Sequence, residues 1–146
     1  MIVIDASLAA KWYLEEQGSE AAIDLLLAHS PNISVPDIFA IELVATLVRE
    51  ANMQKGRAED VRGSLDRFKA LSEGNGITLV RATPSELRDA ADLAIALGHP
   101  LKDCLYLALA MELGCPIVTA DARFAAKARG VYGDVRVLGV GEVNNG

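Results

Sequence analysis

Five short apolar runs constrain the fold more than any other feature of this sequence: Ile2-Val3-Ile4, Ile33-Ser34-Val35, Ile77-Thr78-Leu79-Val80, Pro116-Ile117-Val118-Thr119 and Val135 to Leu138. Each is too short for a helix, rich in β-branched residues and bounded by a turn residue or a lone acid, as expected of strands buried on both faces. Helical patterns fill the intervals. A helix is expected to open near Ser7 as N-cap and run through Lys11 and Trp12, and a second to open at Ser19 and carry Ala22, Ile23, Leu26 and Leu27. Asp37 to Glu50 reads as a strongly apolar helix, Gly56 as a break, and Glu59 to Leu71 as an amphipathic helix. After the turn Gly74-Asn75-Gly76, the segment Thr83-Pro84-Ser85-Glu86 is a complete helix start, with Thr as N-cap, Pro at the first helical position and Glu three residues past the cap. That helix ends at Gly98, the next runs from about Leu101 to Leu113 before Gly114, and a short one from Ala122 to Arg129. Strands alternating with helices in this way give an open parallel α/β sheet with helices on both faces.

At 146 residues the chain suits one domain with a sizeable core, expected over residues 1–138, with 139–146 as a polar tail that frays. The longest apolar stretch, around Leu105 to Met111, falls far short of the ~20 residues of a membrane span, so no membrane association is expected. Met1 to Asp5 lacks a basic segment and meets an acid after four apolar residues, which does not suit a secretory signal and implies a cytoplasmic protein. Cys104 and Cys115 would stand roughly 16 Å apart along a helix, too far for a disulfide. They are expected as reduced core thiols. His29 and His99 are far apart in sequence, are expected in loops, and offer no zinc spacing.

The net charge of −6, from 20 acids and 14 bases, argues against a broad basic surface for nucleic acid. Setting four acids aside in one metal pocket leaves 16 against 14, and bound cations would reverse the local sign, so a phosphodiester substrate stays open. Four acids stand out. Asp5 and Asp121 close the first and fourth apolar runs, and in parallel sheets ligands bind at strand ends where the strand order reverses. Either could simply cap a helix, although Ser7 is available as a cap near Asp5. Glu42 lies in an apolar helix, on a stripe with Ile38, Ala45, Thr46 and Arg49 that faces either water or a polar cleft. Asp103 has the helical neighbours Tyr106, Leu107, Ala110 and Met111, among which an unpaired carboxylate would be costly, although its first-turn position suits the helix dipole. Acids gathered at one end of a sheet repel each other, and an oxygen-only donor set selects Mg²⁺ or Mn²⁺. Two such ions can drive in-line cleavage of a phosphodiester. Ser7 and Thr119 could orient a ligand or a bound water, or serve as ordinary caps.

With these residues in place, the chain resembles the PIN-domain ribonucleases, in particular the VapC-type toxins of bacterial toxin–antitoxin modules. The resemblance spans nearly the whole chain. It rests on Ile2-Val3-Ile4-Asp5-Ala6-Ser7 followed by Lys11-Trp12 and Glu15-Glu16, on Val35-Pro36-Asp37 leading to Glu42, on Leu101 to Ala110 around Asp103, and on Ile117-Val118-Thr119-Ala120-Asp121-Ala122-Arg123-Phe124. It implies a three-layer α/β/α PIN-like fold around a mainly parallel five-stranded sheet. It further implies a Mg²⁺- or Mn²⁺-dependent endoribonuclease with Asp5, Glu42, Asp103 and Asp121 as the acidic quartet, acting on RNA as a homodimer and inhibited by a small cognate antitoxin. The antitoxin's C-terminal segment would lie in a groove walled by Ile38 to Val48 and Leu101 to Met111 and present an Arg or Lys to the acids, unless those apolar residues are core. Many relatives carry a further acid two positions after the last Asp. Here that residue is Arg123, which leaves a second metal weakly held or substrate-borne, and Arg123 itself either a phosphate contact or a solvated helix charge.

Two other readings compete. A phosphoacceptor receiver domain is also α/β and acidic, but needs adjacent acids after strand one and a late Lys, where this chain has Asp5-Ala6 and Gly139-Val140-Gly141. A PIN-like scaffold that only binds a partner would not need an intact quartet.

Overall fold

The computed structural model describes residues 1–139, so the expected tail of 139–146 lies, from 140 onward, outside the described residues. The five apolar runs form β1 (Ile2–Ile4), β2 (Ile33–Pro36), β3 (Thr78–Val80), β4 (Ile117–Thr119) and β5 (Val135–Val137). They make one sheet in the order β3-β2-β1-β4-β5, with every pairing parallel. A receiver domain of flavodoxin-like topology would place its strands in the order 2-1-3-4-5, so the sheet excludes that reading. No single helix among the described residues is long and apolar enough to cross a membrane.

Between β1 and β2 lie α1 (Ala6–Ala10) and α2 (Ser19–His29), and between β2 and β3 lie α3 (Ile38–Met53) and α4 (Ala58–Glu73). Between β3 and β4 lie α5 (Pro84–Leu97) and α6 (Leu101–Leu113), and α7 (Ala122–Ala128) joins β4 to β5. The chain steps outward one way from β1 to β3 and back the other way from β3 to β5. Right-handed crossovers therefore place α1–α4 and α5–α7 on opposite faces, giving three layers. The core is Ile2, Val3, Ile4, Ile33, Val35 and Ile117 of the sheet, sandwiched between Phe39, Leu43 and Leu47 of α3 and Tyr106, Leu107 and Ala110 of α6. Truncating any of the large aliphatic members is expected to cost about 2–5 kcal/mol.

Local signals set most element ends. Thr83 and Glu86 form a reciprocal capping box, with Glu86 N–H donating to Thr83 Oγ1 at 3.2 Å and Thr83 N–H to Glu86 Oε2 at 3.0 Å. Gly98 and Gly114 close α5 and α6 at φ of 60° and 64°, a left-handed conformation that a β-carbon disfavours. The N-terminal expectation needs correction. Asp5, not Ser7, caps α1, and that helix ends at Ala10 before turns that carry Lys11 and Trp12. Trp12 is held there by its indole N–H, which donates to the Ala22 carbonyl at 2.9 Å. The second helix, α2, does open at Ser19 as expected, with Gly18 before it, and the Ser19 hydroxyl ties the preceding loop by donating to Leu14 O and accepting from Glu16 N–H. His29 ends α2 and is not a loop residue, whereas His99 does lie between α5 and α6. Both cysteines are buried free thiols, and burial pushes their pKa values up.

Candidate active site

The strand order reverses between β1 and β4, and there the parallel register sets Ile4 beside Val118. The residues that follow these strands are thereby brought to one edge. Asp5 is nearly buried, 9% exposed, while Asp121 is exposed. Between them stands Thr119, which has no exposed surface. Its hydroxyl donates to Asp5 Oδ2 and accepts from the Asp121 N–H at 3.0 Å, so one side chain ties the two strand ends together. Asp5 Oδ1 also accepts from Leu8 N–H and from the Ser7 hydroxyl, both at 2.9 Å. Asp121 Oδ1 accepts from the Arg123 and Phe124 N–H groups, each at 3.0 Å, and so caps α7.

The two acids on helices form the walls. Glu42 of α3 accepts from the Tyr106 hydroxyl of α6 at 2.7 Å through Oε1, and its Oε2 lies 3.7 Å from Lys102 Nζ. Asp103 Oδ2 lies 2.7 Å from His99 Nε2, and the His99 ring packs on Phe124 with centroids 4.8 Å apart. The costly unpaired carboxylate expected among apolar neighbours is thus avoided by a partner four residues upstream. Asp5, Glu42, Asp103 and Asp121 all line one pocket of about 400 Å³, together with Ser7, Thr46, Arg49, Lys102 and Tyr106. The Glu42 stripe consequently faces a polar cleft. Arg123 is exposed and is not among the pocket's lining residues.

Burial pushes the Asp5 carboxyl above its ordinary pKa, against the opposing hydrogen bonds from Thr119, Leu8 and Ser7, and the negative charge of Asp103 adds to the rise. Burial likewise raises the Tyr106 phenol, and its bond to Glu42 reinforces the effect, so Tyr106 donates as a neutral hydroxyl. Among the described residues no three Asp, Glu, His or Cys side chains are already set as a metal-ligand group. The carboxylates are instead engaged with the partners above, while Asp103 Oδ1 and Asp121 Oδ2 accept no hydrogen bond among the described residues.

Sequence reasoning identified the acids, Ser7 and Thr119 but missed Tyr106, His99 and Lys102 as their partners. The spacing held a usable signal, since Tyr106 stands three residues after Asp103 on its helical face and His99 four before it, just ahead of the helix.

Comparison with known proteins fits this geometry. Ribonuclease VapC3 of Pyrobaculum aerophilum is 29% identical over 130 residues, covering 86% of this chain and 93% of the relative. The crystal structure of Mycobacterium tuberculosis VapC20, described as a sarcin-ricin loop cleaving toxin, superposes with a TM-score of 0.70 at 15% identity, covering 93% of this chain and 99% of that one. A toxin–antitoxin complex from Klebsiella pneumoniae matches with a TM-score of 0.65 at 15% identity, covering 92% and 95%. Residues 2–130 match the PIN domain. With an all-parallel three-layer sheet whose switch point gathers four acids into one pocket, the chain belongs to the PIN domain family.

Proposed function

We propose that this chain is a Mg²⁺- or Mn²⁺-dependent endoribonuclease and the toxin of a toxin–antitoxin pair. The observation that carries the reading is the convergence of four carboxylates from four separate elements on one pocket at the sheet's switch point. The donor set fits a hard cation, because it is all oxygen and because the Asp5 carboxyl already suffers from burial and from the charge of Asp103, which a cation would offset. Asp5, Glu42, Asp103 and Asp121 are the residues that would hold it. The chemistry supplied by Mg²⁺ or Mn²⁺ when bound is stabilisation of phosphoryl charge and easier deprotonation of an attacking water.

The protein's own residues do the rest. Thr119 fixes the separation of the two strand-end acids, and the helices that those acids cap hold them in place. Tyr106 and His99 orient the wall acids by one hydrogen bond each, as partners behind ligating carboxylates generally do. The sequence likeness to a ribonuclease supports RNA as substrate, and the fold shared with a toxin–antitoxin complex supports a cognate inhibitor. A homodimer belongs to the same reading. Most of the proposed groove walls are core, but Ile41 and Val48 of α3 and Leu101 and Met111 of α6 remain exposed and could receive the inhibitor. The test is cleavage of end-labelled RNA by purified protein with Mn²⁺, with EDTA and with the co-expressed product of the adjacent small reading frame. Cleavage should require Mn²⁺ and be suppressed in the complex. Absence of any cleavage defeats the nuclease reading, and a neighbour that neither binds nor inhibits defeats the toxin reading.

A further inference from the structure

We propose that Arg49 and Lys102, on opposite walls of the acidic pocket, grip backbone phosphates of a single-stranded RNA and lay the strand along α3. The inference rests on the ribonuclease reading and adds the substrate contacts that reading lacks. A chain of net charge −6 cannot attract a polyanion by its overall field, so cations at the site must supply the contact. Both residues line the pocket, one on α3 and the other in the first turn of α6.

Arg49 lies on the same helical stripe as Glu42 and Thr46, seven residues beyond Glu42 and therefore about 10 Å further along α3. It is exposed and forms no ion pair among the described residues. Several surface cations away from the pocket are paired, whereas Arg49 is a pocket-lining one that is not. Arg57 is bonded to Glu50, Lys69 to Glu73 and Arg88 to Asp92. A guanidinium left facing a pocket wall suits a phosphate, which its planar fork meets with two parallel hydrogen bonds. Lys102 is 58% exposed and only 3.7 Å from Glu42 Oε2, a weak contact that it can exchange for a phosphate at little cost. A strand entering between α3 and α6 would then have one phosphate near the four acids and the next contacts set by these two cations.

The experiment measures binding of a short fluorescein-labelled single-stranded RNA by anisotropy across a salt series, using full-length protein carrying Asp121→Asn to slow turnover. Each phosphate contact contributes about 0.7 to the slope of log K against log salt for single strands, equivalent to about five-fold in affinity at 0.1 M salt. Arg49→Ala and Lys102→Ala should each lower the slope by about that amount, and Arg49→Lys should restore most of it. The paired surface residue changed in Lys69→Ala serves as control and should leave the slope unaltered. Unchanged slopes in both Arg49→Ala and Lys102→Ala overturn the clamp. Cleavage by the parent protein with Mn²⁺ is scored separately. If RNA is cleaved while the slopes stay unchanged, only the clamp fails; if RNA is never cleaved, the underlying ribonuclease reading fails.

Discussion

The pocket has two kinds of acid, held in two different ways. Asp5 and Asp121, at the ends of β1 and β4, are fixed by backbone N–H groups within three residues and by Thr119 between them. Glu42 and Asp103, on α3 and α6, are fixed by single side chains, Tyr106 from 64 positions away and His99 from across a helix start. The strand-end pair owes its geometry to the topology of the sheet, and helix capping and ligand binding are compatible roles for the same carboxylate. The wall pair owes its geometry to one aromatic hydroxyl and one imidazole, each packed in the core or against Phe124. Perturbations should therefore separate the pairs.

The largest effect is expected at the strand ends. Asp5→Asn and Asp121→Asn should each reduce Mn²⁺-dependent RNA cleavage by about two to three orders of magnitude while circular dichroism stays native. Asn retains an acceptor oxygen for the cap, whereas Asp5→Ala removes it and should cost about 1 kcal/mol more in chemical denaturation. Near wild-type cleavage by both Asn variants would end the distinction. Next in size are the wall partners. Tyr106→Phe and His99→Ala leave Glu42 and Asp103 in place but unheld, and Mn²⁺ affinity or kcat should fall roughly 10- to 100-fold. Loss of folding without any change in the kcat or Mn²⁺ affinity of the folded fraction would make these residues merely structural.

A smaller effect concerns stability. Mn²⁺ should raise the melting temperature in proportion to the logarithm of its concentration at saturating levels, and Asp103→Asn should shrink that gain, as differential scanning fluorimetry can establish. The smallest is a pH effect in EDTA. Folding raises the Asp5 pKa from its ordinary 3.8, so the folded state holds that proton more tightly than the unfolded chain. Its contribution is therefore fully present below pH 3.8 and is lost as pH rises through the raised value. Asp5→Asn should flatten that decline in melting temperature; an unchanged profile would show that Asp5 is not its source.

Much of this was legible in the sequence, and the gaps have physical causes. Every strand and the later helices were marked by local signals such as the Thr83 box and the glycines at 98 and 114, which act over a single turn. The short α1 was harder, because two side chains two residues apart could both cap it, and it is the Asp5 carboxylate that accepts the Leu8 N–H while the Ser7 hydroxyl donates to Asp5. The strand-end acids were legible because an acid closing an apolar run has few explanations. The partners of the wall acids were not, since Tyr106 looks like core in a run such as Leu105-Tyr106-Leu107, and only the meeting of α3 and α6 from opposite faces supplies Glu42 with its hydrogen bond. Arg49 was visible on the Glu42 stripe, but nothing local says which way that stripe faces.

The central claim is that acids held in two different ways form one cation site. Calorimetric titration of Mn²⁺ into the wild-type protein and into Asp5→Asn, Glu42→Gln, Asp103→Asn and Asp121→Asn tests it most directly. The account predicts that wild type binds Mn²⁺ and that all four substitutions weaken the same binding event. Wild-type affinity retained in all four variants, or no binding by the wild type, would contradict it.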